Sequence, residues 1–279
     1  MSSAYRIEKD SMGEVKVPKA ALYGAQTQRA VDNFPVSGIC ISRPLIHALG
    51  VIKQGAAKVN AEMDNIPEDV AHAIQLAAQE VIDGKLDEHF PIDIYQTGSG
   101  TSSNMNANEV IAHRAMELVP DLSVKVHPND HINFGQSSND TFPTAIRIAG
   151  YIEAKNVLIP VLKFLRETFL KKGAEYSHVV KTGRTHLMDA MPVTVEQEFG
   201  GYARQIEIGI QRVESALQQM AELPMGGTAV GTGINTDPEF PPKFAAEISK
   251  LTGESFREAK NHFEAQATVD APVALGAQL

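Results

Sequence analysis

The chain has 279 residues, of which 43% are hydrophobic and 21% charged, and a formal net charge of -9. That is apolar material for one large or two modest domains with a real core. The acidic balance argues against a nucleic-acid surface, which needs clustered lysine and arginine, and no such run occurs.

The first residues, MSSAYRIEKDSMGEVKVP, mix charges and lack the apolar segment of a signal peptide and the Arg-rich, acid-poor bias of a transit peptide. No stretch is apolar for the length a bilayer needs. The first forty residues read as an irregular or short-strand cap. The single cysteine, Cys40, has no internal partner, so a reducing compartment, most simply the cytoplasm, is expected. Sulfur-rich metal sites are excluded by the same count. Helices are predicted over 44–63, 67–83, 104–118 and 241–252. A longer one is predicted from Thr141 to Lys172, with Pro160 inside it as a kink or break. The clearest helix lies between Val193 and Glu222. There Val195, Phe199, Tyr202, Ile206, Ile210, Val213, Leu217 and Met220 recur at a mean spacing of about 3.6 residues. Thr194 and Gln197 fit a capping box at its start, and Pro224 and the glycines after it stop it. A rod of that length, about 40 Å, is expected to pack beside others in a mainly α, long-helix bundle.

Three polar loops lie ahead of helices. Gln96–Asn108 reads QTGSGTSSNMNAN, Gly135–Pro143 reads GQSSNDTFP and Gly183–Pro192 reads GRTHLMDAMP. Helix N-termini present unpaired N–H groups and a partial positive charge. With hydroxyl and amide side chains added, such loops can hold carboxylate or phosphate without a formal cation. Ser, Thr, Asn and Asp are also the preferred N-caps, so each loop taken alone reads first as a cap. Capping does not account for SGTSSNMN, which carries more polar side chains than one helix start can use. Of nine histidines, His186 stands out, because it follows Thr185 in a polar loop and could act as acid or base near neutrality. His127 and His131 are four apart, but Pro128, Asn129 and Asp130 between them point to a loop rather than a metal pair. The run GGTAVGTG at 226–233 follows a helix and has no strand before it. It therefore reads as a turn joining long helices and not as a dinucleotide fingerprint.

TGSGTSSNMNANEVI, HPNDHINFGQSSNDTFPTA, KTGRTHLMDAMPVT and LPMGGTAVGTGIN resemble the motifs of class II fumarases, within the fumarase/aspartase superfamily. The resemblance runs from about Arg6 to Asp270. It implies a homotetramer of long-helix bundles in which each active site is shared among three subunits. It also implies an N-terminal lyase domain over 1–137 and a central helical bundle domain over 138–279. By position, Ser99, Gly100 and Thr101 resemble the first substrate-binding turn, and Ser137, Ser138 and Asn139 the second. Thr185 resembles a further carboxylate-binding hydroxyl. His186 resembles the histidine that handles the water proton. His127, Pro128, Asn129 and Asp130 resemble a secondary dicarboxylate site. The implied activity is reversible hydration of fumarate to L-malate, with no metal or redox cofactor, no nucleic acid and no membrane partner.

In that family a signature loop with a serine base lies beyond the position of Leu279. PVALGAQL diverges where a core helix is expected, so a truncated chain lacking the C-terminal domain is the expectation. Such a chain would expose apolar faces and associate abnormally. Glu196 stands where the family usually has glycine, in a first turn where an acid suits the helix dipole. The alternatives are an inactive fragment that binds dicarboxylates or joins full-length subunits, and an aspartate ammonia-lyase.

Overall fold

The computed structural model describes residues 4–279. They form two compact units, residues 4–149 with 221–269, and residues 150–220 with 270–279.

The first unit opens with a hairpin, β1 (Tyr5–Asp10) against β2 (Gly13–Pro18), in antiparallel register. This is the short-strand cap that the sequence suggests. Helix α1 (Ala25–Asn33) follows. Its first turn is held by the buried carboxylate of Glu109, which accepts from the N–H groups of Gly24, Gln26 and Thr27 and from Thr27 Oγ1. An anion at a helix start satisfies orphan donors and the dipole together.

Helices α2 (Arg43–Glu62) and α3 (Glu68–Ile82) make the central pair. Small and branched residues, among them Ala48, Ile52 and Ala56 on α2 and Ala73, Ile74 and Ala77 on α3, are almost fully buried. Helix α4 (Thr101–Leu118) packs on α3, and its Ala107, Val110, Ile111 and Ala115 are buried. Helix α5 (Ser138–Glu153) starts in this unit, and the boundary at residue 149 falls within it.

The second unit contains a π-helical turn, Ala154–Leu158, and then α6 (Ile159–Glu175). The predicted helix 141–172 is helical throughout, with a π-helical turn at 154–158 directly before Pro160. The wider turn is where the ladder makes room for a residue that has no N–H. A hairpin of β3 (Val180–Thr185) and β4 (Met188–Thr194) comes next, then α7 (Val195–Met220). Thr194 and Gln197 close the capping box in both directions, at 2.9 and 3.1 Å. Helices α6 and α7 pack side by side with a triad of Phe169, Phe199 and Tyr202, ring centroids 5.6–6.2 Å apart. Gly173 lies against the start of α7, where a Cβ would stand 3.3 Å from Phe199 Cβ and 3.4 Å from Glu196 Cα. One face of the α6 region, with Val157, Val161 and Phe164, is exposed.

The chain returns to the first unit with β5 (Glu222–Leu223), which pairs in parallel with β6 (Arg257–Glu258). Between them α8 (Phe240–Thr252) packs on α2, where Gly55 admits Ile248 and Lys58 pairs with Glu247 at 2.9 Å. Helix α9 (His262–Ala267) completes the first unit, and α10 (Asp270–Gly276) packs on α7 in the second. The architecture is mainly α, as the sequence predicts. No helix among the described residues is long and apolar enough to cross a membrane.

Candidate functional site

The first and second polar loops meet at the starts of α4 and α5. Gly100 is the left-handed residue before α4, with φ +69°. A Cβ there would stand 2.1 Å from the Phe142 ring, so only glycine lets the ring of α5 close over the α4 start. Ser99 Oγ and Thr101 Oγ1 are 2.7 Å apart, and both residues are exposed. Gln96 holds the turn from below, bonding Ser103 through its N–H and its hydroxyl at 3.0 and 2.7 Å.

The second loop is both a cap and a platform. Ser137 Oγ accepts from Asn139 N–H at 3.2 Å, and Asp140 Oδ1 accepts from Ser137 N–H at 2.9 Å. Ser137 thus caps the second N–H of α5 while Asp140 reaches back to the cap's own N–H. Asp140 does more than cap. Its Oδ2 accepts from the N–H groups of Gly226 and Thr228 at 3.1 and 2.8 Å, which ties the glycine-rich run to the start of α5. Burial pushes the Asp140 carboxyl upward in pKa, while those three N–H donors and the charge of Lys53 oppose the shift. Asn139 adds a second tie, donating to Ala229 carbonyl at 2.8 Å.

Between these elements lies a cavity of about 520 Å³, lined by Gly98, Ser99, Asn139, Phe142, Pro143, Ala229, Val230 and the 266–269 segment. In its wall Gln266 donates to Thr228 carbonyl, while Gln266 Oε1 and Thr268 Oγ1 are buried without a hydrogen-bond partner. The sequence alone gives no sign of Gln266, Thr268 or Lys53. Lys53 and Gln266 sit on helical stretches, Thr268 follows the end of α9, and each joins its partners only through tertiary contact. The cavity has two helix N-termini, hydroxyls, amides and an apolar floor, which suits a small anion with carbon between its charged ends.

Thr185 and His186 belong to the second unit. The sequence reading of Gly183–Pro192 as a polar loop is corrected, because the segment is the β3–β4 hairpin, with Thr185 paired to Met188. His186 and Leu187 form its two-residue turn, both left-handed at φ +51° and +62°. Hairpin turns of this twist favour Asn-Gly. A histidine and a branched residue there hold strained backbone of the kind found at functional positions. Thr185, His186 and Leu187 are all exposed.

His127, Pro128, Asn129 and Asp130 sit at a π-helical turn, Pro128–Ile132, on a separate cavity of about 640 Å³. That cavity also carries Lys9, Lys125 and His113, together with Glu8, Asp10 and Glu109. The Nδ1 atoms of His127 and His131 each accept a backbone N–H, at 3.2 and 2.8 Å.

The pattern of the family described as Lyase matches residues 13–279. The chain is 55% identical to the class II fumarate hydratase of Halobacterium salinarum over 97% of its own length and 58% of that protein. It is 57% identical to that of Corynebacterium glutamicum, over 96% and 56%. The crystal structure of a class II fumarase from Schistosoma mansoni superimposes with a TM-score of 0.94 at 37% identity, covering 98% of this chain and 61% of that one. The chain therefore spans less than two thirds of the length of these relatives. With two helix-start loops meeting at one cavity and a match that runs through nearly all of its residues, the chain belongs to the lyase family that includes the class II fumarate hydratases.

Proposed function

We propose that this chain carries the substrate-binding part of a class II fumarate hydratase, which interconverts fumarate and L-malate. The observation that carries the reading is the cavity where Ser99 and Asn139 flank the starts of α4 and α5, in a chain 51–57% identical to proteins of that name. One carboxylate of the substrate is bound by the Ser99–Gly100–Thr101 turn and the other by the Ser137–Ser138–Asn139 turn, where hydroxyl protons are the donors left to a ligand. In dehydration a base removes the C3 proton of malate, and the charge moves onto the adjacent carboxylate. Donors already aimed at that group stabilise it without reorganising, as in an oxyanion hole. An acid then protonates the leaving hydroxide. His186 handles that proton, with Thr185 beside it as a further carboxylate donor.

The exposure of the hairpin turn supports a shared site, because a histidine held on strained, solvent-facing backbone is placed to be presented to another copy of the chain. The exposed apolar face of Val157, Val161 and Phe164 supports assembly, and a homotetramer is part of the proposal. So are a cytoplasmic location, the domain division at 137/138 and a secondary dicarboxylate site at His127–Asp130. Purified protein given L-malate, then L-aspartate, is followed by the ultraviolet absorbance of fumarate. Malate turnover that falls about a hundredfold or more in His186→Asn supports the proposal. Turnover of aspartate alone refutes it in favour of an ammonia-lyase. Fumarate binding without turnover would leave a dicarboxylate-binding chain.

A further inference from the structure

Lys53 lies in the middle of α2 and is completely buried. Its neighbours along the helix, Val51, Ile52, Ala56 and Ala57, are core residues. A methionine would fill the same space without the cost of removing an amine from water. The amine nevertheless makes two hydrogen bonds. Nζ donates to Asn133 Oδ1 at 3.0 Å and to Gln136 Oε1 at 2.9 Å, 80 and 83 residues away. Both acceptors stand immediately before the Ser137–Ser138–Asn139 platform.

The donors and acceptors of this layer admit one arrangement. A lysine amine presents N–H groups, so Asn133 and Gln136 must turn their oxygens to it. Their amide nitrogens then bond backbone, Asn133 Nδ2 to Gln136 carbonyl at 3.2 Å and Gln136 Nε2 to Ile132 carbonyl at 3.0 Å. Asn133 Oδ1 also faces Asn104 across 3.1 Å, so the Asn104 atom there must be its nitrogen. That nitrogen also donates to Ser138 Oγ at 3.0 Å. The Ser138 hydroxyl is thereby an acceptor toward the interior, and its own proton is left for a group on the other side. Burial draws the Lys53 amine down to about 7, with the Asp140 charge opposing. Either protonation state has the two N–H groups that the layer uses.

We propose that Lys53 is a positioning residue of the second carboxylate-binding loop. Through Asn133, Gln136 and Asn104 it holds the loop in place and sets Ser138 to donate its hydroxyl proton to a bound carboxylate. This rests on the reading of Ser137–Asn139 as a carboxylate platform. Lys53 touches no ligand, and its effect passes through the side chains between.

Two measurements on the whole chain test this separately. The first needs no ligand. Amide hydrogen exchange in Lys53→Met is expected to rise about tenfold or more at Gln136, Ser137 and Asn139, relative to Ala73 and Ala77 of α3, the loss of one buried hydrogen bond or more. Exchange that rises equally at both places, or not at all, overturns the proposal. The second is fumarate binding by calorimetry in a double-mutant cycle. Lys53→Met and Ser138→Ala are each expected to weaken binding about tenfold, and the double variant no more than either. Losses that multiply overturn the link to Ser138. Should Lys53→Met not fold, Asn104→Leu removes the connecting donor, takes its place in both arms and carries the same expectations. If the wild type binds no fumarate, the carboxylate reading of the loop fails, while the exchange arm still decides whether Lys53 holds it.

Discussion

Replacing Asp140 by asparagine tests how the two loops of the cavity are joined. The carboxylate accepts three backbone N–H groups, from Ser137 on Oδ1 and from Gly226 and Thr228 on Oδ2, at 2.8–3.1 Å. An asparagine has one acceptor oxygen, so its NH2 must face either Ser137 N–H or the Gly226–Thr228 pair, donor against donor. The better choice keeps two bonds and loses the third, and a hydrogen bond to a charged group contributes about 1.5–3 kcal/mol. The substitution also removes the anion whose charge acts on buried Lys53. With that lost bond as the main cost, Asp140→Asn is expected to destabilise by about 1.5–3 kcal/mol. Urea unfolding followed by far-ultraviolet circular dichroism measures it, since the chain has no tryptophan to report by fluorescence. Combined with Lys53→Met, the loss is expected to fall short of the sum by about 1 kcal/mol or more, because the two groups interact and either change removes that interaction. A loss under about 1 kcal/mol for the single change, or strict additivity for the pair, would refute the account of Asp140 as the anion of this layer.

Other expectations follow from named contacts. Lys53 has a folded pKa of about 7 against 10.5 in the ordinary state. Between these values the unfolded chain holds a proton that the folded chain does not, so stability from this group rises with pH. Wild type should gain on Lys53→Met by about 1.4 kcal/mol per pH unit from pH 7 toward 10, and a flat difference would sink the assignment. Gly100→Ala combines a left-handed backbone with a Cβ 2.1 Å from the Phe142 ring. A loss of about 2–4 kcal/mol is expected from strain and overpacking, read as a fall in melting temperature. Thr194→Ala opens the capping box of α7 and should cost about 1 kcal/mol, with the effect confined in hydrogen exchange to the first turn of that helix.

Much of this fold is legible in the sequence because helix signals are local. Apolar residues at a spacing of 3.6 mark α7 from Val195 to Met220, and Thr194 with Gln197 marks its start. Helices α2, α3 and α8 lie within a residue or two of their expected ends. The β3–β4 hairpin was not legible, because its turn is His186-Leu187, residues that carry none of the usual left-handed signature. The irregularity in the predicted helix at 141–172 was signalled by Pro160, but its form, a π-helical turn before the proline, depends on packing.

A mainly α architecture, a family resemblance and two helix-start loops rich in hydroxyls and amides are all readable along the chain. Those properties are written in neighbouring residues, whose periodicity and caps act over a few positions. That the two loops face one cavity with Gln266 and Thr268 in its wall, and that Asp140 binds the glycine-rich run 86 and 88 residues further on, follows from how the helices pack. The same packing brings Lys53, buried on α2, to the residues before the second loop. Buried polar groups must find partners wherever the fold brings donors and acceptors together, and that accounting is closed across the chain rather than along it.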